Sequence, residues 1–366
     1  MPRLVVSVAL AGVALGAAAA SSAATMTPCR GCTVQHIVLV ESRATTNASV
    51  PVHPGRMSGG DLFVWAGGKY ATPQGRLHGT IMGFGTFSSS KPHAHFRGTD
   101  FFQFDNGSTL VTKGYSTAVG PGRKLPPSYR HAIIGGTGRF FAATGEEVGY
   151  RLKGGRYRHE LTVVLPPKTA KVRTIRSLTF LSVKDVIDRS GPGTEDVGDQ
   201  RVVLGDLRGE DGAQSLGVYY VRSYILQVLD GGAHQWLGGP IAYRFTSGGT
   251  LAGAGAYQRV SGAAPGSLAP APRVISSGTG PYAGYHGELI PEDVAPGVTF
   301  HTIRLVKGDA WGTNERQHHV ATSSPYGTGG SGRSRPCSSP SAGRLWRVVC
   351  ARRLHGHQHP SGGHHD

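Results

Sequence analysis

Apolar and β-branched residues recur along the chain in short runs that polar residues or glycines separate. In the run 157–165 the pattern alternates, with His159, Leu161 and Val163 on one side and Glu160, Thr162 and Val164 on the other. Such alternation is typical of a half-buried β-strand. Beyond the N-terminal segment, no apolar stripe of helical period persists for three turns without a glycine or proline. The pattern therefore predicts an all-β protein.

Eight such runs in the first half of the chain are predicted to be strands: 36–42, 61–70, 76–87, 99–104, 108–117, 130–135, 145–153 and 157–165. Asn106 and Gly107 lie between two of these runs and favour a two-residue hairpin turn, because both residue types tolerate a positive φ. Eight antiparallel strands can close into a barrel whose interior is either filled by side chains or holds one small ligand.

A repeat with an offset of about 140 residues organises the chain. The segment 135–140, Gly-Gly-Thr-Gly-Arg-Phe, recurs at 277–282 as Ser-Gly-Thr-Gly-Pro-Tyr, and a Gly-Glu pair follows each at the same distance. Upstream, the segment 104–110 recurs at 245–251. Because the matching segments keep their order, they indicate an internal duplication. The sequence therefore predicts two tandem eight-stranded antiparallel β-barrels.

The repeat also sets the expected domain boundaries. The first barrel is predicted at 33–165 and the second at 173–307, joined by a short, proline-stiffened linker at 166–172. Residues 308–366 are rich in Gly, Ser, Arg, Pro and His and poor in apolar anchors. A segment of this composition cannot bury a core, so a disordered tail is expected.

Residues 1–23 have the features of a secretory signal peptide. Arg3 supplies the positive charge, 4–20 form a small apolar stretch, and Ser-Ser-Ala at 21–23 suits cleavage. An uncleaved membrane anchor is the alternative, but the stretch is short and weakly lipophilic for a span. We therefore expect a secreted, extracellular protein that is not held in a membrane once the signal is cleaved.

The formal net charge of +16 raises the possibility of a nucleic-acid partner. The basic residues are scattered among glycines and strands, and do not line a helix or alternate with aromatic residues. Charge alone accounts for attraction to acidic polymers or cell-wall surfaces, but not for sequence-specific recognition. We expect a solvated basic surface and no specific nucleic-acid partner.

The four cysteines lie outside the predicted barrels, at Cys29, Cys32, Cys337 and Cys350. Disulfides are expected in an oxidising compartment, and three pairings are open. A redox or zinc site at the first pair is the alternative, although no second pair stands at metal-ligand spacing. The sequence also has no Gly-x-Ser-x-Gly elbow, phosphate loop or His-Glu-x-x-His helix. We expect neither a metal nor a cofactor.

The motifs of the repeat resemble the allene oxide cyclase and dirigent superfamily. Asn-Gly-Ser at 106–108 followed by Gly-Gly-Thr-Gly-Arg-Phe at 135–140 is similar to the dirigent pattern, whereas 278–287 is more similar to the cyclase turn. The resemblance covers nearly all of 35–306. It implies closed barrels whose apolar interiors bind a reactive small molecule and hold it in one shape, which needs positioning and no cofactor.

Glu41 occupies the place of the first-strand glutamate of plant allene oxide cyclases, and the resemblance implies a catalytic role for it. A carboxylate in an apolar barrel would have a raised pKa and could polarise a substrate. An outward-facing glutamate is the alternative. In the second copy Ser182 or Lys184 stands near this position, so at most one barrel would use the acid.

Aromatic residues are the candidates for lining the two pockets, although each could equally be ordinary core. The predicted binding residues are Phe63, Trp65, Phe84, Phe102 and Phe104 in the first copy and Tyr220, Tyr224, Tyr243 and Phe245 in the second. Weaker candidates are the loop histidines His93, His95 and His234, which are more often solvated, and Glu146 and Glu288, which are more often exposed beside such a turn.

Two functions remain open at this point. The favoured one is a secreted barrel protein that binds a small apolar metabolite and guides its cyclisation or stereoselective coupling without a cofactor, as an isomerase-like protein if it is an enzyme at all. The alternative is a non-catalytic secreted module whose barrels are packed solid and serve structure or surface binding.

Overall fold

The computed structural model describes residues 29, 31–42, 44–52, 58–88, 95–117, 127–187, 195–260 and 271–308. Most of these residues are in β-strands, with four short 3₁₀ turns between them. No helix in these ranges is long and apolar enough to cross a membrane. The predicted signal peptide, Cys337, Cys350, His93 and the tail beyond residue 308 lie outside the described residues.

The first barrel is an antiparallel ring of eight strands, with a ninth short strand beside it. β1 pairs with β9 along most of its length, and the ring closes where Glu41 lies opposite Tyr70. The short strand β2 pairs with the first half of β3, whereas β1 pairs with the last two residues of β3. The strands are β1 (Thr33–Glu41), β2 (Thr46–Val50), β3 (Leu62–Ala71), β4 (His78–Phe87), β5 (His95–Phe104), β6 (Thr109–Thr117), β7 (Ser128–Gly136), β8 (Thr144–Arg151) and β9 (Tyr157–Leu165).

The second barrel is a closed ring of eight antiparallel strands. Its first strand is one long element that pairs with the last strand and then with the second, so it replaces both β1 and β2. The prediction of two tandem eight-stranded barrels is confirmed. The strands are β10 (Val172–Ile187), β11 (Gln200–Arg208), β12 (Ser215–Leu229), β13 (His234–Phe245), β14 (Thr250–Val260), β15 (Arg273–Gly278), β16 (Tyr285–Ala295) and β17 (Val298–Lys307).

Each barrel encloses its own apolar core, because alternate residues of every strand point inward. In the first barrel this core includes Ile37, Leu39, Ile81, Phe102, Phe104, Leu110, Phe140 and Leu161. In the second it includes Leu207, Val221, Ile241, Phe245, Leu251, Tyr282, Leu289 and Ile303.

A third apolar core lies between the two barrels and joins them. It is built from outward-facing residues of both copies, among them Val64, Met82, Phe101, Tyr224, Leu226 and Ala256. Gly135 makes room for Val274, since a Cβ there would lie 2.1 Å from a methyl carbon of that valine. The Gln103 amide also donates to the Ala256 carbonyl at 3.2 Å. The strands between the barrels are therefore apolar on both faces.

Candidate functional site

A layer of polar side chains lies inside the first barrel, beyond one end of its apolar core, and all of them are buried except the half-buried Tyr129. Each comes from a different position on the ring: Glu41 on β1, Asp100 on β5, Thr112 on β6, Tyr129 and His131 on β7, Glu147 on β8 and His159 on β9. They share the inward face with the core because residues two apart in a strand point the same way. Thus Asp100 continues the Phe102 and Phe104 row, and His159 continues the Leu161 and Val163 row.

The His159 imidazole joins two carboxyl groups at the centre of this layer. Its Nδ1 lies 2.8 Å from Glu147 Oε1, and its Nε2 lies 3.3 Å from Glu41 Oε2. Glu147 is further held by the Tyr129 hydroxyl, which donates to Oε1 at 2.9 Å, and by the Thr112 hydroxyl, which donates to Oε2. Glu147 therefore has donors on both oxygens, whereas Glu41 interacts with His159 alone among these groups.

A second carboxyl–imidazole pair lies beside the first. His131 Nδ1 is 3.0 Å from Asp100 Oδ2, and the Trp65 indole donates to Asp100 Oδ1 at 3.1 Å. The buried Nε2 atom of His131 has no hydrogen-bond partner among the described residues. This nitrogen is thus open to hydrogen bonding with a bound molecule.

The electrostatics separate the three acids. Burial raises the pKa of Glu41, more than its contact with His159 lowers it, and burial likewise raises the pKa of Asp100. For Glu147 burial also acts upward, but the hydrogen bond and charge of His159 together with the other donors hold its pKa below the usual value. The site therefore combines carboxyl groups that favour the proton with one that stays ionised.

The two histidines of the layer favour the charged form. Burial lowers the pKa of His159, but its hydrogen bonds and charge contacts with Glu147 and Glu41 dominate and raise it to about 10. The pKa of His131 is also raised, because Asp100 outweighs burial. Burial and the nearby Glu147 carboxylate raise the pKa of the Tyr129 hydroxyl well above its usual value of 10, so this hydroxyl remains a donor.

Glycines make the space for these rings. A Cβ at Gly114 would lie 2.2 Å from His131 Cδ2, and a Cβ at Gly149 would lie 2.2 Å from the Tyr129 ring. At Gly83 it would lie 2.4 Å from the Trp65 indole. Part of the high glycine content is therefore required by the polar layer, where large rings cross neighbouring strands.

Asp100, His131 and Glu147 also have the composition of a possible cation site. One ligand atom from each lies within 4.8 Å of the others. These atoms already satisfy one another and Thr112 by hydrogen bonding, with His131 Nδ1 directed at Asp100 and the Thr112 hydroxyl at Glu147. The arrangement is that of a hydrogen-bonded network.

The predicted catalytic candidate, Glu41, is 8% exposed and belongs to this layer. Phe63 and Trp65 stack on each other on the inward face, and both contact the Phe96 ring, Phe63 edge-on and Trp65 at a tilt. Phe102 and Phe104 lie deeper, in the apolar core, where Phe102 meets the His159 ring edge-on. The structure brings Glu41 and these four aromatic residues into one interior. Of the four described aromatic side chains, only Trp65 forms a hydrogen bond with the polar layer.

Three predicted lining residues lie elsewhere, and the structure corrects their placement. Phe84 and Tyr224 contact each other between the barrels, with ring centroids 4.9 Å apart. Tyr220 is 36% exposed on the outer face of β12, while its neighbour Tyr219 points inward. Tyr243 and Phe245 do lie inside the second barrel. A strand that is apolar on both faces leaves the inward face undetermined.

The weaker candidates divide as well. Exposed His95 begins β5, and His234 contacts the exposed Asp230. Glu146 is partly exposed and pairs with Arg130, whereas Glu288 is buried and accepts from the Gly138 amide of the other barrel. Exposure was thus the wrong expectation for Glu288, because the neighbouring barrel covers it.

Two further features lie outside the layer. Cys29 and Cys32 form a disulfide with a Cα–Cα distance of 5.3 Å. A cleft of about 580 Å³ opens beside β1 and the β3–β4 turn, away from the polar layer. The residues that line this cleft are His36, Ile37, Val38, Thr72, Pro73, Gln74, Arg76, Leu77, Arg139 and Arg158.

Sequence reasoning missed Asp100, His131, Glu147 and His159. The signal that was present is a polar residue in line with inward apolar ones, as for His159 beside Leu161 and Val163. Glu147 is less visible because its neighbour Glu146 carries the repeat motif.

Known proteins similar to this chain are found among solved structures. No protein-family model and no curated protein matches the chain. Among solved structures, a pyocyanin demethylase is 16% identical, with 35% of this chain and 99% of that chain covered and a TM-score of 0.29. A pterocarpan synthase dirigent protein is 18% identical, with 40% and 96% covered and a TM-score of 0.31. Values this low do not assign a function.

Proposed function

We propose that the first barrel binds a small, largely apolar molecule and guides its cyclisation or stereoselective coupling by proton donation and positioning, without a cofactor, in a secreted protein of the allene oxide cyclase and dirigent type. The observation that carries the proposal is the pair of carboxyl groups, Glu41 and Glu147, on opposite nitrogens of one buried imidazole. Their environments push their pKa values apart, which is the arrangement of an acid and a base.

Glu41 is assigned the role of the acid. Its pKa is raised by burial, it has one partner in the layer, and it is the acid nearest the end of its strand. A protonated carboxyl group can donate to a carbonyl, epoxide or phenol oxygen of a bound molecule. Glu147 keeps its charge and holds His159 in the charged form, which fixes the ring beside Glu41.

His131 is assigned the role of an orienting donor. Asp100 fixes its ring through Nδ1, so the partnerless Nε2 is directed away from that carboxyl group. A fixed donor of this kind selects one orientation of a polar ligand atom, while the aromatic and aliphatic core accommodates its apolar body.

Cyclisation and coupling suit this equipment. A ring closure that begins with proton donation and ends with proton loss is redox-neutral, so an acid and a base are sufficient for it. In radical coupling the radicals come from another enzyme, and the barrel contributes positioning alone.

The test is retention of a small molecule by the full secreted chain. The protein is incubated with a lipid and polyketide extract, washed and analysed by native mass spectrometry, with Glu41→Gln and His131→Gln beside the wild type. We expect the wild type to retain a ligand and both variants to retain at least about tenfold less, because each loses a buried donor. Addition of a chelator should change nothing.

Glu146→Gln is the matched control. It lies beside Glu147 on the same strand but outside the barrel, so retention should equal that of the wild type. If no extract yields a bound molecule, the non-catalytic module with solid barrels is the better description.

A further inference from the structure

The second barrel carries different chemistry at the positions of the polar layer. His301 on β17 corresponds to His159 on β9, as the strand registers and the repeat offset agree. On the first strand of each barrel, Leu39 is paired with His159 and Ser177 is paired with His301. Two residues further along these strands lie Glu41 and Thr179, and each contacts the histidine of its own barrel. Thr179 therefore takes the place that the sequence suggested for Ser182 or Lys184.

None of the three acids is kept in the second copy. The repeat offsets and strand registers give the following replacements: Asp100 by Ile241, Glu147 by Leu289 and His131 by Arg273. A layer with three carboxyl groups and two imidazoles thus corresponds to one with a guanidinium and an imidazole.

Arg273 is buried inside this barrel, and it has no carboxylate partner in the part of the chain that the structure describes. It is 5% exposed, it donates through Nη1 to the Tyr219 hydroxyl, and its guanidinium carbon lies 4.5 Å from the centroid of the Tyr257 ring. Its Nε has no hydrogen-bond partner, and no carboxylate of the described side chains lies within ion-pair distance. Glu195 is engaged by Arg259 and Arg201.

The described surroundings of Arg273 add hydroxyl groups but no negatively charged side chain. Tyr243 and Thr179 hydroxyls both lie 3.0 Å from His301 Nδ1, and burial together with Arg273 lowers the pKa of His301 to about 3, so this ring is neutral. The buried Ser177 hydroxyl, opposite His301, has no partner among the described residues.

An arginine stays charged in a protein, and a buried charge is stable only when it is paired. The tyrosine hydroxyl and the ring face compensate part of the lost hydration, but they carry no net charge. A guanidinium binds carboxylates through parallel hydrogen bonds, and a single positive charge matches a monoanion. The walls next to Arg273 are apolar, with Ile241, Ile275 and Leu289 in the same core.

We propose that the second barrel binds a small organic monoanion, a carboxylate on an apolar body, with the Arg273 guanidinium as its counter-charge. This site is independent of the acid–base layer in the first barrel, and it stands whether or not that barrel is catalytic. Tyr219 and Ser177 supply neutral hydroxyl donors in the same interior.

The test is calorimetric titration of the full chain with four acids, each beside its alcohol: acetate and ethanol, benzoate and benzyl alcohol, 1-naphthoate and 1-naphthalenemethanol, decanoate and decanol. We expect at least one acid to bind about ten- to a hundredfold more tightly than its alcohol, the range for hydrogen bonds to a charged group. Arg273→Met should abolish that preference, and Arg273→Lys should keep part of it. Arg208→Met removes the same charge from the outer surface and should leave the preference unchanged.

Thermal unfolding without ligand supplies a second criterion. Arg273→Met loses the Tyr219 hydrogen bond and the Tyr257 ring contact, but it also removes a buried charge that has no carboxylate partner among the described side chains, so it should unfold at the same or a higher temperature than the wild type. A temperature lower than that of Tyr219→Phe, which loses the same hydrogen bond and keeps the guanidinium, would mean that a carboxylate of the chain already pairs with Arg273, and the proposal would be overturned. It is equally overturned if no acid is preferred over its alcohol, or if the preference persists in Arg273→Met. Neither result bears on ligand retention by the first barrel.

Discussion

The two barrels share a fold but have interiors of opposite character. The apolar ends match closely, with Phe104 and Phe245 in equivalent rows and a ring, Phe140 or Tyr282, closing each core. Beyond that end, the first barrel contains three acids and the second contains none at the same positions. Apolar packing therefore maintains the barrel, and the polar layer has been free to diverge within it.

The equivalent histidines show the difference most clearly. His159 lies between two carboxyl groups, and its pKa is raised to about 10. His301 is equally buried but faces two hydroxyls and Arg273, and its pKa is lowered to about 3. The same residue type at the same position thus takes the opposite charge state because its neighbours differ.

Glu147→Leu should have the largest effect, since it gives the first barrel the residue that the second has at Leu289. The change leaves the charged His159 with Glu41 as its remaining carboxyl partner, and removal of one member of a buried pair costs about 3–5 kcal/mol. Urea unfolding of the full chain measures the loss. Glu146→Gln, its exposed neighbour, should change the free energy of unfolding by less than about 0.5 kcal/mol. A cost below about 1 kcal/mol for Glu147→Leu would show that the first barrel, like the second, is stable without a carboxylate at this position.

The pH dependence of stability should run in opposite directions in the two barrels. The His159 contribution is complete below its usual pKa of 6.5 and is lost as the pH rises through about 10, because the folded state holds the proton more tightly. For His301 the unfolded chain binds the proton more tightly, so stability is lost as the pH falls from 6.5 towards 3.

Denaturation between pH 4 and pH 10 checks this, with His159→Gln and His301→Gln as the variants. The first should flatten the alkaline slope and the second the acidic slope. If each variant changed the acidic and the alkaline slope of the stability curve by the same amount, the assigned charge states would be contradicted.

Thr179→Glu should convert part of the second interior into the first. The new carboxylate would lie beside His301, where its charge and hydrogen bond favour the imidazolium. We expect the pKa of His301 to rise from about 3 towards 6.5 or above, measured by NMR titration of the ring protons. Thr179→Gln has the same shape without the charge and should leave the pKa low.

Glu288→Gln should have the smallest measurable effect. Together with Glu146→Gln it tests how much stability the glutamate of each repeated Gly-Glu pair contributes. Glu288 is buried and accepts from the Gly138 amide at 2.9 Å and from Arg304 at 2.6 Å, so its loss should cost about 1–3 kcal/mol. The Arg130–Glu146 pair is exposed, and Glu146→Gln should cost almost nothing in the same thermal unfolding scan. Equal costs would mean that the contact between barrels contributes no stability.

The strands were largely predictable because alternation is a local property. The eight runs predicted in the first copy correspond to β1 and β3 to β9, whereas β2 was missed. Thr46–Val50 is short and polar, and it is a strand because β3 offers it a pairing edge. Glu41 was found through a resemblance, but its partner His159 lies far away in sequence and meets it only when the ring closes.

The sequence by itself determined the duplication, the strand periodicity and the composition of each barrel, because these depend on residues close together in the chain. Only the tertiary structure decided which strand face points inward, since a period of two is the same whichever face is buried. For this reason Phe84 and Tyr224 lie between the barrels, and Glu147 and His159 lie inside one. Closure of the ring likewise decided that Glu41 has a buried partner and that Arg273 has no carboxylate beside it among the described side chains.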